Sequence, residues 1–191
     1  MSQNASLILT LQPDNPCNTT ITDQDDGGKT LYQVYTQYEP SVTTFVKNGA
    51  GDIIASWEWR EIRSDIITLL GASPTPVSSW LKKSIVPFKD TVTLEDHAGR
   101  KYKWKGNGPG LSFELYREDD KIQPIARFQK PRRTADSTYT PAQLIFDERG
   151  EEIRDLIVIS FLVLEKSRRT TENSTMNRAD VLAQVPAFGA V

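Results

Sequence analysis

Cysteine and histidine occur once each in 191 residues, as Cys17 and His97. One cysteine excludes an internal disulfide and fits a reducing compartment. One cysteine with one histidine cannot assemble the usual tetrahedral zinc site. A Ser-His-Asp or Cys-His catalytic set would have to recruit His97, which sits in the turn-like run Glu95-Asp96-His97-Ala98-Gly99. The chain also lacks a long apolar run, since the stretch Leu156 to Leu164 falls far short of the roughly 20 residues that span a bilayer. No basic segment precedes the short apolar run near Met1, so no signal peptide is expected. The sequons at Asn4, Asn18 and Asn173 are read as chance. Gly106-Asn107-Gly108-Pro109-Gly110 lacks the Lys-Ser/Thr of a phosphate loop, and Pro109 removes a backbone donor. Asp23 to Gly27 lacks the glutamate that closes a calcium loop, because Gln33 occupies that place. The expectation is a cytoplasmic, non-enzymatic domain with no metal and no cofactor.

What the sequence does hold is short alternating runs divided by turn chemistry. Leu7, Leu9 and Leu11 alternate with Ile8 and Thr10, and Pro13-Asp14-Asn15-Pro16 stops them. Leu31 to Tyr35 and Val42 to Lys47 are rich in strand formers. Asn48-Gly49-Ala50-Gly51 predicts a hairpin into Ile53 to Trp59, where Ile53, Ala55, Trp57 and Trp59 would share the buried face. Ile66 to Leu70, Thr91 to Leu94, Arg100 to Lys105, Leu111 to Tyr116, Ile125 to Phe128 and Ala142 to Phe146 read as further strands. Residues 130–140 read as a polar loop.

Glu151 to Arg169 differs in kind: its length and charged flanks favour a helix over the alternative, a buried parallel strand. From Leu156 to Leu164 only Ser160 is not strongly apolar, so a helix here is apolar around its whole circumference and must be buried. Acidic residues lead it and Lys166, Arg168 and Arg169 close it, matching the helix dipole. Such a helix is about 28 Å long, near the height of a small barrel. The fold class expected is therefore mainly β: a closed antiparallel barrel of about ten to twelve strands around one buried hydrophobic C-terminal helix at 151–169. A sandwich with the helix docked on one face is the alternative. The domain spans residues 1–170, and 171–191 form a tail that is either disordered or holds a short helix over Asn177 to Gln184.

Three stretches carry a resemblance: Leu9 to Asp23, Gly99 to Lys105 and Ile153 to Arg169. They are similar to an uncharacterised domain family of mushroom-forming fungi, over about residues 5–170. The architecture also resembles the tubby C-terminal, LURP-one and scramblase-like barrels, in which about twelve strands surround a hydrophobic helix. That resemblance implies the same fold. Tubby-like proteins bind phosphoinositides through basic side chains, but their lipid-binding motif is not found in this sequence, so lipid binding is implied by fold alone.

Charge supplies the functional hint. Net charge is −2, yet it divides into −5 over residues 1–81, +6 over 82–133 and −3 over 134–191. The basic middle contains Arg100-Lys101-Tyr102-Lys103-Trp104-Lys105. On a strand, Lys101, Lys103 and Lys105 project to one face and Tyr102 and Trp104 to the other. The candidate ligand-binding set is these lysines with Arg100, Lys82, Lys83, Arg127 and Arg132, with Lys89, Lys130 and Arg133 as further contributors. The function expected is a binding module for anionic phospholipid headgroups or an acidic protein partner, at the membrane periphery. The alternative is a protein-interaction or structural domain without a small-molecule ligand. Nucleic acid is not expected, given the net negative charge.

Overall fold

Alternation of apolar and polar residues sets the strands, as the period-2 pattern predicts. The computed structural model describes residues 7–86, 90–108, 110–133, 135 and 137–183, with side chains as far as Thr175. Strands β1 (Leu7–Gln12), β2 (Thr19–Asp23), β3 (Thr30–Gln37), β4 (Thr43–Asn48), β5 (Ile53–Glu58), β6 (Ile66–Leu69) and β7 (Thr75–Pro76) form an antiparallel meander. A one-turn helix, α1 (Val77–Trp80), leads into a second meander. That one comprises β8 (Lys82–Lys83), β9 (Val92–Glu95), β10 (Lys101–Lys105), β11 (Glu114–Arg117) and β12 (Ala126–Gln129). Strands β13 (Arg132–Arg133) and β14 (Tyr139–Thr140) pair as a separate small sheet inside the expected polar loop. Strand β15 (Ala142–Phe146) joins the two meanders by pairing with both β1 and β12. Two helices follow, α2 (Glu148–Glu151) and α3 (Arg154–Ala183).

The result is one antiparallel sheet of 13 strands, and it is open. This corrects the expected closed barrel. The edge strands are β7 and β8, which are sequence neighbours joined by α1, yet no ladder links them. The sequence explains why. Val77 donates its N–H to the Asp65 carbonyl, and Ile67 faces Thr75 in register, so positions 75 and 77 point toward β6. By alternation, positions 74 and 76 point outward, and both are proline. The edge that would have to donate to β8 has no donors there. Helix α1 then takes the chain out of the strand direction before β8 begins.

The interior follows the pleat. Leu9 and Leu11, Tyr102 and Trp104, and Ala142, Leu144 and Phe146 are buried while their neighbours are less so. Strand β5 departs from the expected alternation. Its register with β4 slips between Val46 and Lys47, so that Val46 faces Ala55 and Lys47 faces Ile53. Ile54 is the extra residue of that bulge and turns inward beside Ala55, leaving Ile53 44% exposed.

Helix α3 is buried all round, as its composition requires. Every residue from Ile157 to Glu165 is buried. Trp104 of β10 and Tyr32 of β3 reach it from opposite halves of the sheet, to Ser160 and to Asp155 with Arg154. Its limits differ from those expected. Glu151 and Glu152 belong to α2 and the turn after it, and the helix continues past Arg169 to Ala183. Lys166, Arg168 and Arg169 therefore lie within the helix and not at a C-terminal dipole end. They make a layer of ion pairs instead: Lys166 with Asp65 at 2.7 Å, Arg168 with Glu165 at 2.5 Å and Arg169 with Asp14 at 2.6 Å. Residues 170–175 are mostly exposed, and 184–191 lie outside the described residues.

Helix α2 gives a sharp test of this packing. Asp147 caps it by accepting the Gly150 N–H, and Gly150 is buried. A methyl group on Gly150 would sit 2.4 Å from the Ile125 carbonyl oxygen. That carbonyl is itself fixed by the Asp147 N–H at 3.0 Å. Glycine to alanine in an exposed helix adds about 1 kcal/mol of stability. Gly150→Ala is expected to reverse that sign and cost about 1–3 kcal/mol through overpacking. Urea unfolding measures it, and a stabilised variant would refute the close approach.

Candidate functional site

The basic residues singled out in the sequence divide among several places. Strand β9 brings one group of them together. Lys82 of β8 and Lys103 of β10 both face Thr93 of β9, from opposite sides. Directly opposed residues of antiparallel strands share a face, so Lys82, Thr93 and Lys103 form one row on the outer surface. One pleat along, Lys101 faces Glu95, and Lys101 accepts the Glu118 N–H on its other side at 2.9 Å. The second row is therefore Glu95, Lys101 and Glu118.

Both rows line a groove of about 350 Å³, with Ser79 and Trp80 of α1 at its border. Among the described residues, none of Lys82, Lys101, Lys103, Glu95 and Glu118 has a side-chain hydrogen bond or an ion pair within 4.0 Å. The sheet holds the groove from beneath. Tyr102 donates its hydroxyl to Asp96 at 3.1 Å, and Trp104 donates Nε1–H to Ser160 at 3.0 Å. The expectation that these two aromatics serve the core and the lysines face solvent is met.

The other candidates are spent or lie elsewhere. Arg100 is held by Asp96 at 2.6 Å and Glu152 at 3.1 Å. Burial opposes ionisation of Asp96, but hydrogen bonds from Arg100, Tyr102 and Ala98 outweigh it and hold the carboxyl below its usual range. Lys105 lies 3.6 Å over the Tyr116 ring. A hydrogen bond to Glu114, then burial, pushes the Tyr116 hydroxyl up to about 12. Glu114 in turn faces both Lys105 and Arg127, so that row is already mixed in charge. Lys83 faces Val92, one position off the Lys82 row, and lines a different cleft of about 560 Å³ with Val77 and Lys166. Arg132 is in the separate small sheet, as is Arg133. Lys89 lies outside the described residues.

Sequence reasoning missed Trp80, Glu95 and Glu118 as walls of the groove. The two glutamates were within reach: a tight turn over Asp96 to Gly99 places Glu95 opposite Lys101. Trp80 carried no such signal, because α1 is set by where the sheet stops.

The remaining chemistry is sparse. His97 is exposed on its turn, at the rim of a cleft of about 700 Å³ with Leu69, Leu70, Leu156 and Ile159. Burial pushes the Cys17 thiol up to about 11, against a hydrogen bond with Thr44, so it stays protonated and inert. Among the described residues no cluster of His, Cys, Asp or Glu is arranged to hold a metal ion. No helix among them is long and apolar enough to cross a membrane.

A model described as a family of unknown function, DUF6593, matches residues 14–170. Neither a curated protein nor a solved structure matches the chain.

Proposed function

The chain belongs to the DUF6593 family of unknown function, and from that premise we propose that it is a binding module, not an enzyme, that holds an anionic group on the outer face of β8, β9 and β10. The observation that carries this reading is the Lys82–Thr93–Lys103 row. Two strand spacings separate its lysines, about 10 Å, so one phosphate or carboxylate between them is within reach of both flexible ammonium groups. Neither lysine is engaged in an ion pair, so a ligand displaces no internal partner. Basic side chains near an anionic surface contribute about 1 kcal/mol each. A peripheral membrane surface is therefore one natural place for such a ligand.

Co-sedimentation with vesicles carrying phosphatidylserine or phosphoinositide, at low and physiological salt, tests the reading. Lys82→Ala with Lys103→Ala is expected to weaken binding roughly 30-fold, two such contributions. Arg132→Ala is expected to change nothing. Absence of binding at either salt, to vesicles and to soluble phosphate esters alike, would sink the proposal.

A second reading, a protein-interaction domain, draws on the cleft at the sheet's open seam. Its wall includes Leu70, which is 71% exposed, and its floor is formed by Leu156 and Ile159 of α3. Apolar side chains set beside the acidic residues Glu95, Asp96 and Glu151 suit a partner chain better than an anionic headgroup.

A further inference from the structure

The anion-binding reading leaves part of the groove unexplained. A surface built only to attract anions would not place two unpaired carboxylates in the same groove as three lysines. We infer that the ligand is zwitterionic: a phosphate ester bearing an ammonium group a few bonds away, the chemistry of ethanolamine and choline phosphoesters. This inference rests on the anion-binding reading of the same groove and names its ligand class.

The registers give the groove two poles. The Lys82–Thr93–Lys103 row carries two positive charges and a hydroxyl. The neighbouring row carries one positive charge, Lys101, between two negative ones, Glu95 and Glu118. Same-face positions on a strand repeat at about 7 Å, which sets the distance between the poles. A phosphate placed over the second row would meet carboxylates on both sides of Lys101. An ammonium group placed there meets two unpaired acceptors. Trp80 also lines this groove, and indole is the best of the side chains for receiving a cation, quaternary ammonium included. A phosphate over the first row and an ammonium beside the carboxylates of the second thus pairs Lys82, Lys103, Glu95 and Glu118, and the second row stays net negative with Lys101 counted. The aminoalkyl phosphate is also short enough to keep both ends within one groove of this size.

Nuclear magnetic resonance titration of the full chain with three soluble probes decides it: phosphoethanolamine, phosphocholine and glycerol phosphate. Phosphoethanolamine and phosphocholine are expected to bind roughly tenfold more tightly than glycerol phosphate, which keeps the phosphate and lacks the cation. Glu95→Gln with Glu118→Gln is expected to abolish that preference and leave glycerol phosphate binding equal or stronger. Lys82→Ala with Lys103→Ala is expected to lose all three probes. Equal or tighter binding of glycerol phosphate by the unaltered protein would overturn the zwitterion inference and leave the anion reading standing. Failure of all three probes, together with failure to bind anionic vesicles, would overturn both. Vesicles doped with phosphatidylethanolamine then identify the source. Co-sedimentation assigns a lipid headgroup, and binding of the soluble esters alone assigns a free metabolite.

Discussion

Replacing Phe161 by alanine is expected to cost about 3–5 kcal/mol, a large part of the 5–15 kcal/mol that holds a typical domain together. Phe161 lies on the fully buried stretch of α3 and is the point at which four aromatic rings meet. Its ring is 4.6 Å from Phe128, 6.0 Å from Phe113 and 6.4 Å from Trp104. Those partners come from β12, from the segment before β11 and from β10, so one side chain ties the helix to three neighbouring parts of the second meander. Truncation removes the transfer free energy of a large ring and leaves a cavity lined by rigid aromatics that cannot close around it. Chemical denaturation gives the number directly. A loss under about 1 kcal/mol would mean that the site collapses freely and that the helix is not gripped as described.

That helix was legible because composition alone fixes its surroundings. A segment apolar on every side has few places to go, and the run from Leu156 to Leu164 dictates burial before any neighbour is known. Its ends were not legible in the same way. Lys166, Arg168 and Arg169 resemble a terminal basic cluster, and only the tertiary partners Asp65 and Asp14, with the buried Glu165 of the same helix, reveal an internal ionic layer. The strands were legible for the reason that alternation has a single physical cause, one face inside and one outside. Closure was not, because it depends on whether the last strand can donate to the first. Here that depends on which of Pro74 and Pro76 face outward, and the register with Ile66 and Ile67 decides it. The bulge at Ile54 belongs to the same class, since an inserted residue reverses one side chain without altering composition.

For the candidate site, alternation correctly separated Lys101 and Lys103 from Tyr102 and Trp104. It could not say which neighbours stand beside them. The partition of the basic residues is set by strand order: Thr93 is the shared neighbour of Lys82 and Lys103, whereas Lys105 and Arg127 share Glu114. Local pairing also removed Arg100, whose partner Asp96 is four residues away in the same turn. The mixed charge of the groove thus emerges only when three strands are laid side by side.

Arg168→Ala is expected to be nearly as damaging as the loss of Phe161, for the opposite physical reason. The Arg168 side chain is almost wholly enclosed, with Nη2 2.5 Å from Glu165 and Nη1 donating to the Leu111 carbonyl at 2.6 Å. Its guanidinium also lies 4.7 Å over the Phe113 ring. Alanine would remove the charge and leave the buried Glu165 carboxylate with Arg169 as its remaining partner, at 2.8 Å. Removing one member of a buried pair costs about 3–5 kcal/mol, most of it the burden of the stranded charge. Because Arg169 remains, the lower end of that range is expected. Arg168→Met alone strands the carboxylate in the same way. Combining Arg168→Met with Glu165→Leu removes both charges and is expected to recover a large share of the loss, since a buried ion pair and a well-packed apolar pair of similar volume are often close in stability. The double-mutant cycle by urea unfolding separates the two contributions. If the double substitution is as unstable as the two single losses added together, the penalty is one of shape, not of stranded charge, and Arg168 serves mainly to fill space against Phe113 and Leu111.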